Sequence, residues 1–319
     1  MISNSSIDLS LSNIYKSWYK FRKSKKRTAE LEKFQYHLEE NLRELYFDLN
    51  NKKYKHGHYS KFVVFDNKKR EISVAKIRDR VVHRLVYEYL KEIYDKSFIS
   101  DVWSSRNKKG LIGAIERTQK FLRDNPNSCI WRADIEKFFD NIDQKILIEI
   151  LKFKIKDEKA IWLLIEIIQS YFQNSFKGIP IGNLTSQIFA NIYLNELDRF
   201  IKHGIKPLRY LRYGDDFLIT GNNLEELNRK KEKIIEFIGK SLKLSINARN
   251  NIIVKAKWGL KFLGVIIYPD KRHLSKRNLK RINNRLNIKN VSSYWGLIRQ
   301  HQRKKLNEFN WRVLEKLNL

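Results

Sequence analysis

In LRYLRYGDDFLIT, residues 208–220, two β-rich stretches flank a tight Gly214-Asp215 turn, so two adjacent carboxylates, Asp215 and Asp216, sit at the tip of a hairpin. An Asp-Asp pair alone is ordinary turn chemistry. A third carboxylate changes that reading. Residues 128–133, SCIWRA, form an apolar β-like run ending at Asp134. A carboxylate at the end of a buried strand is expensive unless it has work to do. The chain between Asp134 and Asp215 is long enough for two helices, which can return the second strand end to the first. Three converging carboxylates in a chain with 65 Lys and Arg against 35 Asp and Glu describe a divalent-cation site. Magnesium takes hard oxygen ligands and shares them with substrate phosphates, so a few aspartates suffice. Two such ions, roughly 3.5–4 Å apart, can activate a primer hydroxyl and stabilise leaving pyrophosphate.

The net charge of +30 has its own consequence. Self-repulsion of this size is tolerated when a polyanion neutralises it, which makes nucleic acid the leading partner. Apolar residues at 42% and aromatics at 13% describe a chain with a sizeable core and exclude a disordered basic tail. The single cysteine, Cys129, excludes an internal disulfide framework and a multi-cysteine zinc site, and agrees with a reducing compartment. His56 and His58 in KHGHYS lack a partner cluster and read as a polar turn; His83 reads as a packed or solvated side chain. The opening MISNSSIDLSLSN has no apolar core of signal-peptide type, and the most apolar stretch, IWLLIEII at 161–168, is short and contains Glu166. The expectation is a soluble cytoplasmic protein with no membrane partner.

The length suggests about two lobes. Residues 8–48 read as helical, with six cations in KFRKSKKR at 20–27. KFVVFDNKKREISVA at 61–75 reads as two strands joined by Asp66-Asn67 with cations at the tip. Val81, Val82, Leu85, Val86, Tyr89, Leu90 and Ile93 recur at helical spacing over 76–95. After Asp134 come an amphipathic helix with Ile146, Leu147, Ile150 and Leu151, a second over about 157–172, the loop KGIPIGN at 177–183, and a third over 185–201. A helix over 223–242 and strands near 252–256 and 261–267 follow. The tail from 271 carries 14 Lys and Arg against 2 Glu, with Tyr294, Trp295 and Trp311 interleaved, a pattern suited to a nucleic-acid backbone.

RADIEKFFD at 132–140, GIPIGNLTSQ at 178–187, YGDDF at 213–217 and KFLGVII at 261–267 resemble, in order and spacing, the A, B, C and E motifs of reverse transcriptases. With the segment at 61–82 the resemblance covers about 60–268, and SYWGLIRQHQRKKL at 293–306 resembles the family's thumb. It implies an α/β (α+β) right-hand polymerase: an N-terminal basic helical extension over 1–58, fingers over 59–127, a palm of antiparallel sheet backed by helices over 128–268, and a helical thumb over 269–319. It implies that Asp134, Asp215, Asp216 and the backbone carbonyl of Ile135 hold two Mg2+ ions. Phe139 matches the steric gate against a ribose 2′-hydroxyl, and Arg70, with Lys68 and Lys69, matches the cations gripping the incoming deoxynucleoside triphosphate. The same resemblance implies that Ile181 and Gly182 line the nucleotide and that Tyr213 lies beside the primer end. Relatives often place a lysine after a Leu-x-Leu strand; here SLKLSINARNN leaves the proton donor to pyrophosphate unassigned, with Lys243 and Arg249 as candidates.

Most bacterial relatives carry glutamine before the glycine of the second motif and Ser-Pro at its end. Here the text runs Ile181-Gly182-Asn183-Leu184-Thr185-Ser186-Gln187, which looks like the enzymes of diversity-generating retroelements. That subgroup implies copying of a template-repeat RNA into cDNA with adenine-directed errors for mutagenic retrohoming, alongside a pentameric accessory variability determinant protein. Another prokaryotic reverse transcriptase, from a defence system or an intron-like element, is the alternative, and a catalytically dead nucleic-acid-binding module is a third. Three clustered anions near a phosphate backbone argue against the last. The roughly 50 residues after the palm are expected to hold no ribonuclease H, nuclease or zinc-finger extension.

Overall fold

The computed structural model of the chain describes residues 6–23, 25–65, 69–171 and 176–317. They form two compact units, each assembled from three stretches: Met1–Ser100, Ile135–Gly204 and Ile234–Asn247 in the first, and Asp101–Asp134, Ile205–Lys233 and Ala248–Leu319 in the second.

The first unit is mainly helical. Its N-terminal part is three helices, Leu11–Arg22, Ala29–Tyr36 and Leu38–Asn50, where the sequence reads as one helical region. Ser10 and Thr28 cap the first two by accepting from Asn13 N–H and Leu31 N–H, which marks where each begins. Helix Ile77–Tyr94 buries Val81, Val82, Leu85, Val86 and Leu90 along one stripe and packs on helices Leu11–Arg22 and Leu184–Arg199. Helix Leu184–Arg199 is buried nearly all round, taking Thr185, Ser186, Asn191, Asn195 and Asp198 inside along with its apolar residues, and continues into a π turn over Phe200–Ile205. Helices Gln144–Lys154 and Glu158–Gln169 start at Asp143 and Asp157, each accepting from two backbone N–H groups of its first turn. Strands β1 (Ser60–Phe65) and β2 (Lys69–Val74) pair antiparallel as an isolated ribbon. The expected turn residues Asp66 and Asn67, and Lys68, lie outside the described residues.

The second unit holds a four-stranded antiparallel sheet in the order β4-β5-β3-β6, from β3 (Cys129–Asp134), β4 (Arg209–Tyr213), β5 (Asp216–Gly221) and β6 (Ile252–Lys255). A second, three-stranded sheet is built from β7 (Leu260–Phe262), β8 (Val265–Ile267) and β9 (Arg272–Leu274). The stretch 261–267, read as one strand, is thus a tight hairpin, because Leu263 and Gly264 both take positive φ, 49° and 84°. That is the conformation that reverses a strand in two residues. Helix Leu111–Asp124 and the tail helices Lys276–Arg285, Val291–His301 and Leu306–Leu317 complete the unit. One core joins Phe121, Ile130, Leu211, Leu218, Phe262 and Ile298. The architecture is mixed α+β with antiparallel sheets backed by helices. Among the described residues no helix is long and apolar enough to cross a membrane.

Candidate active site

In the second unit the hairpin turn is as the sequence spells it. Tyr213 pairs with Asp216, leaving Gly214 and Asp215 as a two-residue loop, and Gly214 takes φ +65°. Positive φ at only the first central position is the type II′ pattern, which demands glycine there. The turn is held from beneath by Arg212, fully buried, whose Nη1 donates to the Gly214 carbonyl at 3.0 Å. Segment 101–103 extends the sheet past β4: Arg212 N–H donates to Asp101 O at 3.0 Å and Trp103 N–H to Arg212 O at 2.9 Å.

On β3, Asp134 stands directly opposite Asp216 of β5. Like charges facing across neighbouring strands repel. Arg132, two residues earlier and therefore on the same face, answers half of that repulsion. Its Nε and Nη2 donate to Asp216 Oδ1 at 3.2 and 2.8 Å, and its Nη1 donates to the Lys261 carbonyl at 2.8 Å. Asp134 has no such compensation: its Oδ1 is buried without a hydrogen-bond partner among the described residues. A buried, unpaired carboxylate oxygen facing a second carboxylate is a hard-oxygen donor set that fits a divalent cation. Among the described residues no three acidic, histidine or cysteine side chains are grouped to hold a metal, and Asp216 is gripped by Arg132 instead. Trp131 braces β3 from the other face, meeting Phe217 edge to face at 5.3 Å and donating from Nε1 to Asn251 Oδ1 at 2.7 Å.

In the first unit, the loop 177–183 is stitched to two other elements. Gly178 N–H donates to Ile142 O at 2.8 Å and Ile179 N–H to the carbonyl of Phe139 at 2.9 Å. Gln144, buried, donates from Nε2 to Tyr171 O and Gly178 O, both at 2.9 Å. Further along, Ser73 N–H of β2 donates to Ile181 O at 2.9 Å. Asn183 closes the join: its Nδ2 donates to Ser73 O at 2.7 Å, and its Oδ1 accepts from Ala75 N–H at 3.2 Å. Gly182 takes φ +112°, and a Cβ there would fall 2.7 Å from Ile72 Cγ2. Phe139, Ile181 and Gly182 are thereby brought onto one backbone-bonded framework with β2. Lys69 and Arg70 are exposed at the start of that strand. Ile135 is buried and bridges to Ile246. Lys243, exposed, takes φ +52°.

Of the histidines, His83 is packed, within its sequence reading, while His56 departs from its own. His56 does not belong to a free polar turn; its Nε2 lies 3.0 Å from Nε2 of His83, which is fully buried. Burial pushes the His83 imidazole well below its ordinary value, with His56 and Arg80 adding to the effect, and burial lowers His56 against the raising field of Asp79. Arg132, Arg212, Gln144 and Asn183 were also absent from the sequence-predicted set. The available signal was local: an arginine two residues before a strand-end aspartate, another two before the turn glycine, and amides beginning or preceding helices.

Residues 55–267, about two thirds of the chain, match the family model for reverse transcriptase (RNA-dependent DNA polymerase). The group II intron-encoded protein LtrA of Lactococcus lactis subsp. cremoris is 24% identical over 283 residues, covering 67% of this chain and 47% of LtrA. Protein YkfC of Escherichia coli (strain K12) is 23% identical over 240 residues, covering 62% of this chain and 63% of YkfC. The chain thus spans less than two thirds of either relative. Among solved structures, the apo telomerase of Candida tropicalis truncated from its C-terminal domain is alike in fold, with a TM-score of 0.52 at 15% identity over 75% of this chain and 60% of that one. The family match takes in β3, the loop 177–183, the Gly214-Asp215 turn and the β7–β8 hairpin, and on that extent the chain belongs to the reverse transcriptase (RNA-dependent DNA polymerase) family.

Proposed function

We propose that the chain is an RNA-directed DNA polymerase of the diversity-generating type, copying a template-repeat RNA into cDNA with errors directed to adenines. The observation that carries the polymerase reading is Asp134 opposite Asp216 beside the Gly214-Asp215 turn, with one Asp134 oxygen buried and unpaired among the described residues. Domains of this family use divalent metal ions. Magnesium, as two ions bound by Asp134, Asp215, Asp216 and the Ile135 carbonyl, would supply the positive charge that triphosphate transfer needs. Phe139 excludes a ribose 2′-hydroxyl, Arg70 with Lys68 and Lys69 draws in the triphosphate, and Tyr213 supports the primer end. Residues 59–127, 128–268 and 269–319 serve as fingers, palm and thumb, with 1–58 as a basic extension, and the pentameric accessory protein is the expected partner.

The subtype rests on Ile181 through Gln187. An amide at 181 can pin the nucleotide sugar through a hydrogen bond, whereas isoleucine offers only packing, so a misaligned pair loses less relative to the correct one. The intron-encoded relatives favour a second reading, an intron-like reverse transcriptase of ordinary accuracy. Primer extension on an adenine-containing RNA with magnesium and four deoxynucleotides, with and without the accessory protein and native RNA, separates them when the cDNA is sequenced and Asp215→Asn is the blank. Aspartate-dependent cDNA with errors concentrated at adenines supports the first reading. Accurate cDNA supports the second, and no cDNA under either condition removes both.

A further inference from the structure

At the base of the β7–β8 hairpin, where Leu260 pairs with Ile267, two aromatic side chains flank one glycine. Trp258 ends a short 3-10 turn, Ala256–Trp258, whose backbone is tied down on both sides. Ala256 N–H donates to Ser128 O at 3.0 Å, Lys257 N–H to Pro126 O at 3.1 Å and Gly259 N–H to Ala256 O at 3.1 Å. Ala256 is fully buried, yet Trp258 is 64% exposed. The backbone of Tyr268 is held as well: its N–H donates to Lys271 O at 2.8 Å, and its carbonyl accepts from Gln119 Nε2 at 3.3 Å. The half-buried Tyr268 ring lies across Gly259, where a Cβ would fall 2.6 Å from Tyr268 Cε1. Gly259 also takes φ +85°, so conformation and the approach of the ring both call for glycine. A lysine rides over each ring: Lys255 Nζ is 5.5 Å from the centre of Trp258, and Lys271 Nζ is 5.5 Å from that of Tyr268.

A single exposed tryptophan is ordinary on a protein surface. The surroundings of this one are not: residues 248–274 carry six Lys and Arg against one carboxylate, Asp270. A strand of nucleic acid answers both features at once, bringing phosphates to the lysines and a π face to each ring. A duplex cannot use the rings, because its bases are already stacked on one another; an unpaired strand can. The place is also separate from the carboxylates. Lys255 stands opposite Cys129 at one end of β3, and Asp134 closes the other end, about 17 Å along the strand at roughly 3.3 Å per residue. The hairpin turn at Leu263-Gly264 is likewise at the far end of β7 and β8. We propose that Trp258 and Tyr268, with Lys255 and Lys271, form a stacking platform for unpaired bases of a single-stranded nucleic acid, remote from Asp134 and Asp216.

Binding here uses none of the aspartates, so the full-length Asp215→Asn protein can be tested without turnover. Fluorescence anisotropy would compare a labelled oligothymidylate with an abasic strand of the same length. The two carry the same phosphates, so the difference between them reads the bases alone. The oligothymidylate is expected to bind about tenfold tighter, the scale of one stacked base. Trp258→Ala should erase most of that difference while leaving the abasic affinity and the salt dependence unchanged, and Trp258→Phe, which keeps a ring, should retain it. Lys255→Met should instead weaken both strands alike and lower the slope of log affinity against log salt by about 0.7, one phosphate contact on a single strand. Oligouridylate should lose as much as oligothymidylate in Trp258→Ala, because stacking reads no sugar; a loss confined to one of them would assign the platform to RNA or to DNA alone. Equal affinity of the parent for the abasic and thymidylate strands, or a difference that survives Trp258→Ala, overturns the proposal and leaves the indole to a protein partner. The comparison of strands on the parent stands whether or not a variant folds.

Discussion

Removing the Arg132 guanidinium would leave two carboxylates facing each other across β3 and β5 without the ion pair that Arg132 makes with Asp216. Arg132→Met is therefore expected to cost about 3 kcal/mol, the scale of breaking a mostly buried ion pair. Millimolar magnesium should then raise its melting temperature by more than it raises that of the parent, since cation binding to the folded state alone stabilises by mass action. Thermal melts with and without the cation test both points, and equal gains in the two proteins would speak against a cation between these carboxylates. At the histidine pair the consequence runs with pH. His56 and His83 both have folded values below the 6.5 of an unfolded histidine. Between the folded values and 6.5 the unfolded chain binds more protons, so stability is complete above 6.5 and falls as pH drops below it. Urea midpoints should decline from pH 7 to pH 5.5, and His83→Phe should flatten that decline; an identical slope in the variant would move the effect to other groups.

Asn183 joins two elements far apart in sequence, the loop 177–183 and the end of β2. Asn183→Ala would strand the buried Ala75 N–H and Ser73 carbonyl, at a cost of about 2–4 kcal/mol for two buried groups left unmade. Hydrogen exchange should show faster exchange at Ser73 and Ala75 than in the parent, whereas unchanged protection there would mean that β2 is held by other contacts. This join also marks where sequence reading stops. The turn at Gly214-Asp215, the strand ending at Asp134 and the helix over 77–94 were legible because each is fixed by neighbours in sequence: a glycine that must take positive φ, an apolar run, a 3.6-residue period. The split of 261–267 was not, because Leu263 at positive φ defies its own preference and is imposed by strand pairing. Arg132 with Asp216, His56 with His83 and Asn183 with Ser73 were hidden for a different reason: each is a polar pairing set by register or packing, and no periodicity encodes it. The candidate carboxylates could be named from sequence; what compensates them could not.

At the scale of the whole chain, the +30 charge makes affinity for nucleic acid a function of salt. If six or more phosphates are neutralised on binding, affinity should fall by about 10^3-fold or more between 50 and 200 mM salt. Anisotropy across that range checks the expectation, and a flat response would transfer the excess charge to another role, such as docking on an acidic protein surface. The interleaving of the two units carries a consequence for how the molecule comes into being. The first unit is closed by Ile234–Asn247, which leaves the ribosome on the order of ten seconds after Ser100 at roughly 5–20 residues per second. The strand bearing Asp134 likewise waits for both sheet neighbours, β5 and β6, to be synthesised. Vectorial folding from the N-terminus can therefore go only part of the way: helix Ile77–Tyr94 can pack on Leu11–Arg22 as it emerges, but for several seconds its face toward Leu184–Arg199 and the unpaired edges of β3 stay open to solvent, and a holdase at the tunnel exit would have this chain as a natural client.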